Sequence, residues 1–205
     1  TSPWTNAHSV AGKIGKALSL DGSNYIEVFD QDSCQFPLDT NSFSVWIWFK
    51  RNTTGVTEYF FDKRDGTNDG WTFFINSVNR LWAFVQSSGI IYNVATITDT
   101  NWHLTSLVVN RTGNATIYLD NIVGALTDVS NQPMNVSNNL IIGANYSGGN
   151  NFHGLLDAGG IVNKALSAEE RAFIWNSGRG TERLWGYEYG PVGRGIARGI
   201  MRGIR

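Results

Sequence analysis

NLIIGANYSGGNNFHGLLDAGGIVNKALSAEERAFIWNSG, residues 139–178, decides the fold. Leu140-Ile141-Ile142 is a short apolar run stopped by Gly143, the pattern of a buried strand. A Gly/Asn-rich turn leads into Phe152–Asp157, and a second strand-like run covers Gly159–Asn163. Ser167-Ala168-Glu169-Glu170 has capping-box spacing: the serine hydroxyl takes the amide of the third helical residue while Glu170 reaches back to the serine amide. A helix over Ser167–Ser177 follows, with Ala172, Phe173 and Trp175 carrying one face and Gly178 as its stop. Strands that close on one short capped helix describe an all-β domain with a single helical appendage.

Working outward, the clearest strand is Phe43–Phe49. Phe43, Val45, Ile47 and Phe49 share one face, and Ser44, Trp46, Trp48 and Lys50 the other. With both faces apolar, this strand belongs in the middle of a sheet, or carries something packed on its second side. Trp46 either fills the sandwich or meets a ligand or partner. Further strands are read at Glu58–Asp62, Trp71–Ile75, Arg80–Val85, Gly89–Thr98, Trp102–Val109 and Ala115–Asp120, with turns at Ser77–Asn79 and Thr112–Asn114. Thr1–Lys16 reads as a loop, and residues 17–28 as two short strands around Asp21-Gly22-Ser23-Asn24. The 205 residues suit one domain with a genuine core. The 23 glycines, 13% aromatic and 16% charged residues favour strands and turns over helices. Cys34 is the single cysteine, which excludes an intrachain disulfide and a cysteine-rich zinc site. No run approaches the ~18 apolar residues of a membrane helix.

Four segments in order resemble laminin-G-like domains, the concanavalin A-type jelly-roll sandwiches. They are AGKIGKALSLDGSNYIEV (11–28), the strand around Trp48, the hairpin WHLTSLVV…IYLDN (102–121), and the closing GLLD…NKALS with its helix. The resemblance covers about residues 11–178. It implies a two-sheet antiparallel jelly roll of about twelve strands over residues 17–163, with one short C-terminal helix. Such domains usually carry a further strand upstream, and its absence from this sequence implies either trimming or an exposed edge, a template for another chain. The resemblance also implies a structural Ca²⁺ at Asp21 and Asp157, since calcium takes carboxylate and carbonyl oxygens. Ala158 stands where an acidic residue often follows, which weakens that site, and Asp21 otherwise makes an Asx-turn into Gly22.

The sandwich hosts lectins, glycosidases, adhesion modules and structural subunits, so fold alone does not choose a function. The glycosidases of this fold align carboxylates as E-x-D-x-E or E-x-D-x-x-E, and none of Glu27, Glu58, Glu169, Glu170, Glu182 or Glu188 stands so around an aspartate. His8, His103 and His153 form no metal-like pair, and Cys34 has no activating neighbour in sequence. The chain therefore reads as a non-enzyme. Sequons stand at Asn52, Asn110, Asn114, Asn135 and Asn145, either glycosylated or simply part of a polar β-surface.

Residues 191–205, PVGRGIARGIMRGIR, leave this pattern. Residues 1–186 read as the sandwich and 187–205 as a basic arm. Four arginines in a chain of net charge −1 leave the rest at −5. Arg194, Arg198 and Arg202 alternate with Ile196, Ile200 and Ile204. On a helix the isoleucines stack at i, i+4, and on a strand the glycines line the opposite face. Without interleaved aromatics the arm does not read as a nucleic-acid binder. The first functional expectation is a self-assembling subunit of an extracellular fibre or coat, its arm docking through those six residues on the next copy, head to tail. The alternative is a carbohydrate-binding, lectin-like module of a secreted or surface protein.

Overall fold

The computed structural model describes residues 8–30, 41–66, 70–86, 88–92, 94–130 and 138–181. Thirteen strands lie in these residues: β1 (Ser9–Ala11), β2 (Lys16–Asp21), β3 (Ile26–Val28), β4 (Phe43–Arg51), β5 (Glu58–Arg64), β6 (Gly70–Ile75) and β7 (Leu81–Val85), then β8 (Ser88–Ile91), β9 (His103–Val109), β10 (Asn114–Leu119), β11 (Ile122–Asp128), β12 (Leu140–Ile142) and β13 (His153–Val162). A seven-stranded sheet runs β1-β2-β13-β4-β9-β10-β11, and a six-stranded sheet runs β3-β12-β5-β6-β7-β8. Every pairing is antiparallel. This is the two-sheet jelly roll expected from the sequence.

Alternation places one face of each strand between the sheets. Phe43, Val45, Ile47 and Phe49 of β4 meet Phe60, Trp71, Phe73, Ile75, Leu81 and Ala83 of the other sheet in one core. Each such side chain, fully buried, contributes about 1.5–3 kcal/mol. A buried ion pair fastens this core at one end. Arg51 Nε contacts Glu58 Oε2 at 2.5 Å, and the guanidinium also donates to Asn79 Oδ1 and the Val56 carbonyl. Glu58 Oε1 accepts the His153 amide at 2.9 Å, so the pair ties β5 to β13 across the two sheets. Burial pushes the Glu58 carboxyl above its ordinary value, against the lowering contacts of the His153 amide and Arg51.

The second face of β4 is covered by the helix. Trp46 and Trp48 lie outside the sandwich, in a smaller cluster with Leu104, Val108, Leu166 and Ile174. Trp48 stacks on Trp175 of α1 (Ala168–Trp175) with centroids 5.3 Å apart and planes 11° from parallel. Trp46 therefore neither fills the sandwich nor faces a partner: it packs beneath the helix, where Gly160 leaves room for its indole that a Cβ would occupy. The capping box is formed, with Glu170 N donating to Ser167 Oγ and Ser167 N to Glu170 Oε2. Lys164 adds an ion pair to Glu170.

Several local expectations are corrected. Ser9–Ala11, read as loop, pairs with β2 as an edge strand. Ile122–Asp128, which the sequence reading passed over, is the opposite edge. The segment read as Gly89–Thr98 is a strand only over Ser88–Ile91. The buried helical positions are Glu170 and Ile174, while Ala172 is exposed. The helix stops at Asn176, whose left-handed backbone (φ 46°) lets its amide close on the Ala172 carbonyl two residues before Gly178.

Candidate functional site

The expected calcium pair does not come together. In the β2–β13 register Asp21 stands opposite His153, whereas Asp157 lies four residues further along β13, about 13 Å away at ~3.3 Å per residue. Ligands of one calcium ion sit at ~2.3–2.6 Å from it, so these two carboxylates do not fit a shared ion. Each has another job. Exposed Asp21 accepts the Ser23 amide and hydroxyl at 2.9 and 2.7 Å, an Asx-turn that holds its carboxyl below the usual range. Buried Asp157 accepts the Ile14 amide through Oδ2 and the Ala158 amide through Oδ1, both at 2.8 Å. It thereby pins the Gly12–Gly15 turn against β13, and a Cβ at Gly12 would collide with its Oδ2. Among the described residues no group of three or more His, Cys, Asp or Glu is placed to hold a metal ion.

Of the sequon asparagines, Asn52, Asn110 and Asn114 are exposed, and Asn145 is half-buried with its Oδ1 accepting the Ser147 and Gly149 amides. Asn135, Cys34 and the whole arm, including Arg194, Ile196, Arg198, Ile200, Arg202 and Ile204, lie outside the described residues. His103 joins Asp120 at 2.7 Å and Asp99 at 3.1 Å. Burial works against its charge, but the two carboxylates outweigh burial and raise its pKa.

The feature that sequence reading missed is on the outer face of the six-stranded sheet. On β7 the aliphatic Leu81, Ala83 and Val85 face the core, so Trp82 and Phe84 face outward. Register carries this row across the sheet: Trp82 opposes Phe74 of β6, and Phe74 opposes Tyr59 of β5. The rings of Tyr59 and Phe74 stack at 4.7 Å and those of Phe74 and Phe84 at 6.1 Å, within 13° of parallel, and Trp82 follows at 6.0 Å from Phe84. At the β5 end the Arg64 guanidinium lies 5.8 Å over Tyr59 and 5.5 Å over Tyr146, which is itself 47% exposed. Arg64 donates to both oxygens of fully buried Asp62, from Nε at 2.9 Å and Nη2 at 2.7 Å.

Six side chains thus form an unbroken strip of ring carbon ending in a guanidinium and two phenols. Burial opposes the Arg64 charge, but Asp62 outweighs it and holds the guanidinium above its ordinary value. Burial likewise pushes the Tyr59 phenol up, partly offset by Arg64. Such a surface offers apolar contact to C–H groups and hydrogen bonds to hydroxyls at one end. Asp62, the carboxylate that holds Arg64 at the end of the strip, is taken up by that ion pair.

A family model described as the concanavalin A-like lectin/glucanases superfamily matches residues 20–170, and the chain belongs to that superfamily. No curated protein matches. Among solved structures, domain 4 of AbnA, a GH43 extracellular arabinanase from Geobacillus stearothermophilus, in complex with arabinotriose, is similar with a TM-score of 0.60 and 22% identity, covering 78% of this chain and 77% of that one. The CBM40 of a Ruminococcus gnavus IT-sialidase is similar with a TM-score of 0.61 and 10% identity, covering 75% and 93%. A botulinum neurotoxin type C, whose cell entry depends on interaction with two ganglioside molecules, is similar with a TM-score of 0.59 and 17% identity over 75% of this chain. The chain spans only 39% of that toxin. At these identities the likeness is one of fold. The expectation of a self-assembling fibre or coat finds no support among these neighbours.

Proposed function

We propose that this domain is a non-catalytic glycan-binding module that works outside the cell, with the outer face of the six-stranded sheet as its binding surface. The observation that carries the reading is the strip from Tyr146 and Arg64 through Tyr59, Phe74 and Phe84 to Trp82. Phe74 is buried at 8% exposure, Tyr59, Phe84 and Trp82 are half-buried and Tyr146 is 47% exposed, so part of this aromatic row stays at the surface for a ligand to cover. Sugars suit such a surface, because their C–H faces pack on rings while their hydroxyls bond to flanking polar groups. The company of the fold supports the same reading: the arabinanase domain is in complex with arabinotriose, and the toxin uses gangliosides.

The test is a glycan array probed with the full chain and with Trp82→Ala. The intact protein is expected to select a set of oligosaccharides, and the variant to lose them while keeping its melting temperature within a few degrees. Retention of the same glycans by Trp82→Ala at equal affinity would place the ligand elsewhere and sink this reading.

A further inference from the structure

Resting on that assignment of the strip, we infer that the site selects neutral glycans and turns away those bearing a carboxylate. The argument starts from how Arg64 is held. A guanidinium in a sugar site ordinarily recognises an acidic group through two parallel N–H donors. Here that fork is already filled. Nε and Nη2 donate to the two oxygens of Asp62 at 2.9 and 2.7 Å, and the Asp62 side chain is completely buried while that of Arg64 is 16% exposed. The guanidinium also lies 5.8 Å over the Tyr59 ring and 5.5 Å over that of Tyr146.

A ligand carboxylate could take that fork only by displacing Asp62, leaving a buried anion without its partner, or by sitting beside it at like charge. Neutral hydroxyl and ring oxygens face no such conflict, because they can accept from guanidinium N–H groups that Asp62 does not use. The pair is therefore a charge-compensated donor: it keeps the hydrogen-bonding capacity of arginine and cancels its preference for acids. Asp62 becomes the specificity-determining residue, acting on the ligand through Arg64. The rest of the strip is uncharged, so nothing along Tyr59, Phe74, Phe84 and Trp82 restores an attraction for anions.

The experiment is calorimetric titration of the full chain with matched oligosaccharides: neutral arabino-, xylo- and lacto-oligosaccharides, and the same cores carrying one carboxylated sugar. The intact protein is expected to bind the best neutral member at least about tenfold more tightly than its carboxylated counterpart. Asp62→Asn keeps the shape and frees the guanidinium, and it is expected to shift that ratio by at least about tenfold toward the carboxylated member. Should Asp62→Asn lower the melting temperature enough to confuse the titration, the double variant Asp62→Asn, Arg64→Gln removes both charges. It should lose affinity for neutral sugars, because the Arg64 donors are gone, and show no gain for acids; a gain for acids without Arg64 would overturn the inference. A preference of the intact protein for carboxylated sugars, or an unchanged ratio in Asp62→Asn, overturns the inference. If binding persists undiminished in Trp82→Ala, or no sugar of either kind binds, the strip itself is the wrong site and the inference falls with it. Strip-dependent binding that favours acids would overturn this inference alone and leave the strip as the binding site.

Discussion

The two sheets turn different outer faces to their surroundings. That of the seven-stranded sheet carries Trp46 and Trp48, and α1 covers both: they are 4% and 1% exposed, and Trp175 stacks on Trp48. That of the six-stranded sheet carries Tyr59, Phe74, Phe84 and Trp82, with no helix among the described residues packed across them. Among the described residues a helix covers the first aromatic face, whereas on the second Phe74 is buried at 8% exposure and Tyr59, Phe84 and Trp82 are half-buried. Aromatic residues on the first face stabilise the fold, and under the proposed function the half-buried ones on the second meet a ligand.

The sharpest way to break that comparison is to truncate one tryptophan from each face. Trp48→Ala is expected to cost about 3–5 kcal/mol, since it removes a buried indole and leaves Trp175 without its stacking partner. Trp82→Ala should cost less than half of that, because its side chain is only half-buried. Chemical denaturation of both variants reads this directly. Equal losses would mean that the six-stranded face is as structural as the other.

A smaller effect separates a structural carboxylate from a metal ligand on the covered side. Asp157→Asn strips a charged acceptor from the Ile14 and Ala158 amides and is expected to cost about 1–3 kcal/mol. A chelator should leave the melting temperature of both intact protein and variant unchanged, and a chelator-induced drop in the intact protein would restore a calcium role. Weaker still, Ser167→Ala removes the cap of the covering helix and should cost about 1 kcal/mol in thermal unfolding, with glycan binding intact. The least effect belongs to pH at the start of β9, where His103 stands. His103 has its folded pKa raised by Asp120 and Asp99 against burial, so its stabilisation is complete below the unfolded value of about 6.5 and fades as pH rises through the folded value. The melting-temperature gap between the intact protein and His103→Gln should therefore narrow from pH 5.5 to pH 8.5, and a widening gap would reverse the assignment.

The helix-covered face was largely legible in the sequence and the aromatic row of the six-stranded face was not, for a physical reason. The doubly apolar strand Phe43–Phe49 demanded a partner on its second side, and the Ser167/Glu170 capping box announced the helix that provides it. The strands β5, β6 and β7 are also apolar on both faces, so periodicity marked them as strands without saying which rings were left outside. The signal was present in Leu81–Val85, where aliphatic and aromatic residues alternate, but it takes the register to line Trp82 and Phe84 up with Phe74 and Tyr59. Edge strands were missed because exposure removes their pattern: Ile122, Val123 and Leu126 of β11 are all more than half exposed. The Asp21–Asp157 pairing failed on register too, since each residue was matched to a motif and neither motif encodes the offset between β2 and β13.

The central claim is that ligand meets the six-stranded face, and the tryptophan indoles report on the two faces separately. The measurement is an NMR titration of the full chain, following side-chain N–H signals with the best oligosaccharide from the array. The account predicts that the Trp82 indole signal shifts and saturates with ligand, while those of Trp46, Trp48 and Trp175 stay in place. Shifts confined to Trp46, Trp48 and Trp175, with Trp82 unmoved, would contradict it.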